Sequence, residues 1–303
     1  MNVKGKYLNP KADLTFKLIF GEHKDLVMSL LNALLPLPAD GQIESVEYIS
    51  NELVPDNPGK KNSIVDVQCE DSQGRRFIVE MQNLWNVSFV KRVMLNTAKA
   101  IVKQVGQGED FTKLQPVYSL NLLNQEGFDT ETEEFYHDYV LTNVSHHEKT
   151  LESIRVIFVE LLKFKPKSIA ERKMAVLWLR FLTEISEDTG EVPAELLENA
   201  ETCKAMQILE KSAYSDSQLH NYQNFWYTIH SERALEESGH TKGLAEGLKK
   251  GREEGLAEGE AKGLKKGRAE GRAEVARNLL KLGISVVDIA KVSGLTVAEI
   301  EAL

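Results

Sequence analysis

Residues 62–82 read NSIVDVQCEDSQGRRFIVEMQ, and this stretch constrains the fold more than any other because its pattern is that of a β-hairpin. Two runs rich in Ile, Val and Phe flank Asp71-Ser72-Gln73-Gly74, a polar turn signal that ends in glycine. Pairing centred on Gln73 sets Asp66 directly opposite Glu80. Side chains alternate faces along a strand, so Ile64, Asp66 and Gln68 are expected on one face with Ile78, Glu80 and Gln82. Opposed like charges destabilise a sheet unless something neutralises them, and a divalent cation held by oxygen ligands does so. Both acids interrupt strongly apolar strands, which distinguishes them from the polar residues of a solvated sheet face.

The elements around the hairpin follow from hydrophobic periodicity. Residues 9–21, NPKADLTFKLIFG, place Phe16, Ile19 and Phe20 at helical spacing with Asp13 in the first turn. Residues 25–35 continue as an apolar helix that Pro36 and Pro38 end. The pattern predicts an extended segment over 42–54, then the hairpin, an amphipathic helix over 86–107 carrying Lys91 and Arg92, and a short apolar strand over 116–123. Strands are expected again at 135–141 and 155–162, and helices at 168–185, 193–211 and 217–237. Tyr222, Phe225, Trp226 and Tyr227 at helical spacing read as core rather than as a nucleobase platform.

From Gly239 to Gly271 a glycine recurs every fourth residue, and the fillers recur with it: Leu244-Ala245-Glu246 matches Leu256-Ala257-Glu258. Successive glycines drift about 40° around a helix, so no straight apolar stripe forms. Each helical glycine costs about 1 kcal/mol relative to alanine. Either another copy of the chain approaches closely along this segment, or it is a solvated, partly helical linker. Residues 276–303 have the spacing of a helix-turn-helix, with Ile289, Gly294 and Ile300 at its key positions. Its last segment carries Glu299 and Glu301 and no basic residue, which favours a protein contact over base reading.

The net charge of -9 over 303 residues excludes a basic coat for nucleic acid, so any nucleic-acid contact is local. No run is apolar for the length of a membrane span and no signal peptide is recognisable, so no membrane partner is expected. Two cysteines far apart in sequence make neither a disulfide framework nor a zinc site, and a cytoplasmic location is expected.

The order helix, three strands, helix, strand, with Asp66 on the second strand and Glu80-x-Gln82 on the third, resembles the PD-(D/E)xK nuclease superfamily. Within it the chain is similar to the recombination-promoting nuclease and transposase family, through NPKADLTFKLIFG, Asp66, Glu80-Met81-Gln82, Phe89-Val90-Lys91-Arg92, PVYSLNLLN, RVIFVELLKF and the glycine-repeat tail. The resemblance implies an α/β fold with a restriction-endonuclease-like core, a mixed central sheet flanked by helices, followed by helical segments and the glycine-repeat tail. The expected organisation is a nuclease core at 1–165, a helical extension at 166–238, the repeat at 239–273 and a small helical unit at 274–303.

It also implies an Mg2+-dependent DNA endonuclease with Asp66, Glu80 and the Met81 carbonyl as metal ligands. Gln82 stands where most of the superfamily has lysine; an amide can orient water but cannot offset developing charge. Asp13 matches a helix carboxylate that supports the site, Gln68 shares the acidic face, and Lys91 and Arg92 are candidate phosphate contacts. A homo-oligomer through residues 239–303 is expected. The competing reading is a non-catalytic assembly or DNA-recruitment protein on a relict nuclease fold.

Overall fold

The computed structural model describes residues 6–53, 63–86, 88–106, 108–166 and 173–303. Val54, Asn62, Gln107 and Ser168, which bound elements expected from the sequence, lie outside them.

The hairpin forms in the expected register. β4 (Val67–Asp71) pairs antiparallel with β5 (Arg76–Gln82) through Val67↔Val79, Gln68↔Ile78, Cys69↔Phe77 and Glu70↔Arg76, which centres the turn on Gln73. Asp71 Oδ1 accepts the N–H groups of Gln73 and Arg75 at 3.0 and 2.9 Å, and Gly74 takes the left-handed φ of 81° that the turn requires. One expectation fails here. The strand breaks at Asp66, so Ile64 does not share its face with Gln68; it lies in β3 (Ser63–Ile64), which pairs with β2 (Glu52–Leu53) in a separate ribbon, and is 66% exposed.

Among the described residues, six strands make one mixed sheet in the order β1-β4-β5-β6-β8-β7. β1 (Val46–Tyr48) is antiparallel to β4. β6 (Val117–Leu123) and β8 (His146–Glu160) extend the sheet parallel to β5, and β7 (Tyr136–Asn143) closes the edge antiparallel to β8. The strands expected at 135–141 and 155–162 are thus the inner halves of one hairpin, buried on β8 and only partly covered on β7. Its outer half is exposed on both strands, so no apolar alternation marks it in the sequence.

Helix α3 (Phe89–Val102) joins β5 to β6 as the crossover that a parallel pair requires. It covers one face of the sheet, where Phe89 and Val93 pack with Leu123, Val156 and Phe158. The other face, with Phe77, Val79, Leu120, Leu122, Ile157 and Val159, joins the main core. That core draws Phe16 from α1 (Asp13–Phe16), Ile19 and Phe20 from the π-helical turn Lys17–Gly21, Leu30 and Leu31 from α2 (Lys24–Leu34), and Trp178 and Phe181 from α4 (Lys173–Glu184). Helices on both faces of a mixed sheet give the restriction-endonuclease-like α/β core that the sequence predicts.

The single helix expected over 193–211 is two, α5 (Ala194–Glu198) and α6 (Ala200–Ile208). Asn199 takes an extended conformation between them and caps the second through Thr202 N–H at 3.0 Å. The helix expected at 217–237 and the glycine repeat are a single helix, α7 (Asp216–Lys281). The chain divides into two compact units, Met1–Glu232 and Arg233–Leu303. In the second, Ala276, Ile289 and Ile300 form a small core with α8 (Val286–Ser293) and α9 (Val297–Glu301), bounded by left-handed Gly283 and Gly294 and a Thr296–Glu299 capping box.

Candidate active site

Val67↔Val79 is the last ladder pair; Glu80 follows it on the face that α3 covers, and Asp66 continues the same register from just outside the strand. Asp66 sits in the bend before β4, half-buried, and its Oδ2 accepts the Met81 N–H at 2.7 Å. Glu80 is only 6% exposed, and its Oε1 accepts the Asn96 amide of α3 at 3.2 Å. Burial pushes both carboxyls above the usual carboxylate range; the Asp66 charge pushes Glu80 further, and Asp13 acts on Asp66 in the same sense. Lys17 and Arg92 oppose the rise at both carboxyls, and the Met81 hydrogen bond opposes it at Asp66.

The structure brings most of the expected residues together. A cleft of about 180 Å³ is lined by Lys11, Asp13, Asp66, Met81, Gln82, Asn83, Leu84, Phe225 and Ile229. The NPKAD segment is tied to it, because Asn83 donates to the Lys11 carbonyl at 2.7 Å and Tyr222 hydroxyl accepts the Asn9 N–H at 2.9 Å. Asp13 lines the cleft, paired with Lys17 at 2.6 Å one turn on. Among the described residues no three or more His, Cys, Asp and Glu side chains are placed to share a metal ion, so Asp13 stands outside the Asp66–Glu80 pair. Gln82 Oε1 accepts Arg92 Nη2 at 2.6 Å, and its amide nitrogen donates to the Leu84 carbonyl. Lys91 is exposed beside it on α3.

The donor set suits a hard divalent cation. Gln68 Oε1 and Asn96 Oδ1 are buried oxygens without a hydrogen-bond partner. Both residues are 1% exposed: Gln68 pairs with Ile78 on the sheet face that carries Glu80, and Asn96 lies against Glu80. Two opposed carboxylates and two orphaned amide oxygens in a partly dry site make an environment that favours positive charge, and all the ligand atoms are oxygen.

Sequence reasoning passed over Asn96 and Lys17. A signal for Asn96 existed: it occupies the buried stripe of α3 with Phe89, Val93 and Ala100, where an amide needs a partner. Lys17 carried no such mark, since its place beside the carboxylates depends on how the π-helical turn meets β4.

A comparison with protein families matches residues 10–234 to the model of the PD-(D/E)XK nuclease family transposases. Comparisons with curated proteins and with solved structures return no match.

Proposed function

The chain belongs to the PD-(D/E)XK nuclease family transposases, and from that premise we propose that it is a metal-dependent endonuclease that hydrolyses DNA phosphodiester bonds. The observation that carries the reading is the pair Asp66–Glu80, opposed across a hairpin, with raised carboxyl pKa values and orphaned oxygens beside it. A fold holds two acids that way at a cost in stability, which a bound cation offsets.

Asp66, Glu80 and the Met81 carbonyl are the proposed ligands, with Mg2+ as the ion. Such an ion polarises the phosphoryl oxygen and lowers the pKa of water at neutral pH. The Met81 N–H fixes one Asp66 oxygen, and Asn96 fixes one Glu80 oxygen, so both carboxylates are oriented before the ion arrives. Gln82 and Asp13 both line the cleft, and Asp13 is paired with Lys17. No described helix is long and apolar enough to cross a membrane, and a cytoplasmic location with DNA as partner fits this reading.

Plasmid nicking in Mg2+ tests it. Wild type is expected to cut, EDTA to stop it, and Glu80→Ala to lower the rate at least about 100-fold. Equal nicking by both proteins would sink the assignment. A second expectation is a homo-oligomer through 239–303, motivated by the nine glycines of α7, around which an added Cβ meets nothing within 4 Å of its own chain. Sedimentation of the full chain against a 1–238 truncation checks it; identical monomeric species would remove it.

A further inference from the structure

Gln82 removes from the site the cation that a lysine there would supply, yet a cation is present. Arg92, one turn into α3, reaches the same position from the helix side. Its Nη2 donates to Gln82 Oε1 at 2.6 Å, and its guanidinium carbon lies 5.0 Å from the centre of the Phe89 ring, a cation–π contact that limits where the fork can go. Its charge is felt at both Asp66 and Glu80, which places it within electrostatic reach of both acids. Gln82 takes one of its five N–H donors, and no described carboxylate pairs with it. The Arg side chain is exposed, so the remaining donors are accessible.

The amide is equally committed. Its oxygen faces Arg92 and its nitrogen is held by the Leu84 carbonyl, so the two hydrogen bonds fix which way round the amide stands. We propose that Arg92 contacts the scissile phosphodiester as the site's cation, and that Gln82 is a positioning residue that holds the guanidinium there. The inference rests on the nuclease reading above. A planar fork with free N–H groups matches two phosphate oxygens, which an ammonium at position 82 would meet only as a point charge.

The test is a set of full-length variants assayed for plasmid nicking in Mg2+, with Mg2+ binding followed by calorimetry on the same preparations. Arg92→Ala is expected to lower kcat about 100-fold while Mg2+ affinity stays within about threefold of wild type. Gln82→Lys in the Arg92→Ala background is expected to recover at least about tenfold, since it returns a cation to the site. Arg92→Lys is expected to fall between wild type and Arg92→Ala, and Gln82→Ala to lower kcat less than Arg92→Ala does and to add nothing in the Arg92→Ala background.

Arg92→Ala cutting at the wild-type rate, with Glu80→Ala inactive, overturns this inference and leaves the nuclease reading standing. A loss in Arg92→Ala that Gln82→Lys does not restore, accompanied by weaker Mg2+ binding, also overturns it, because the role would then be structural. A wild type that does not cut removes the nuclease reading and this inference with it.

Discussion

Replacing Glu80 by glutamine removes a charge that the fold holds against another charge, and the consequence for stability can be worked out. Directly opposed residues of an antiparallel pair have Cβ atoms about 5 Å apart. Two unit charges at that separation repel by about 3 kcal/mol at an effective dielectric of about 20. Burial of the Glu80 charge adds to this cost, and Lys17 and Arg92 offset part of it, so the net gain from Glu80→Gln in metal-free protein at a pH where Glu80 is ionised is on the order of 2 kcal/mol. The variant keeps the Asn96 contact, because the glutamine carbonyl accepts as the carboxylate does. Its new N–H groups also have orphaned acceptors nearby in Asn96 Oδ1 and Gln68 Oε1.

The pH dependence has a definite sign. A carboxyl whose folded pKa lies above its unfolded value binds more protons in the native state, so the native state loses stability as pH rises through that window. Glu80→Gln removes that loss. In EDTA its melting temperature should exceed wild type by about 4–8 °C near pH 9, and the gap should close near pH 5, where wild-type Glu80 is already protonated. Thermal unfolding followed by circular dichroism at the two pH values reads this directly. A variant less stable than wild type at high pH, or a gap that does not change with pH, would refute the argument that the pair is a stored electrostatic cost.

Other consequences follow from the same geometry. If Asp66 is a ligand as proposed, Mg2+ should raise the melting temperature of wild type and leave that of Asp66→Ala unchanged; a calorimetric scan with and without ion compares them. Nicking should fall as pH drops below neutrality, because protonated Asp66 and Glu80 are poor ligands, and a rate independent of pH from about 5 to 9 would contradict it. Gly74→Ala should cost about 1–2 kcal/mol in urea unfolding, because φ is 81° and the new Cβ would lie 3.2 Å from Gln115 Cγ. Trp178→Ala should cost about 3–5 kcal/mol, as the indole is fully buried against Phe20 and Phe181.

Much of the candidate site's geometry was legible in the sequence because it is local. The turn at Asp71–Gly74 and two apolar runs determine the hairpin register, and that register alone sets Asp66 against Glu80. The strand break that sends Ile64 into a separate ribbon was not legible, since Ile64-Val65-Asp66-Val67 carries no glycine or proline and a single Asp fits a strand as well as its end. The division of 193–211 into two helices was hidden for a related reason: Asn199 serves equally as an interior residue of an amphipathic segment and as a cap, and packing of Leu196 and Ala205 into the core selects the cap. The outer half of the β7–β8 hairpin buries nothing, so its sequence carries no face to read.

By itself the sequence determined which residues could do chemistry and which of them a hairpin must bring together, because alternation along a strand is a property of the backbone. Only the tertiary structure decided what surrounds them. Asn96 and Arg92 reach Glu80 and Gln82 because α3 crosses over that sheet face, and Lys17 and Asp13 reach Asp66 because the N-terminal helical turn packs beside β4. Those neighbours come from other elements, and their proximity is set by burial of the two sheet faces. The facing acids were therefore readable at once, while the charge balance around this candidate site had to wait for the packing.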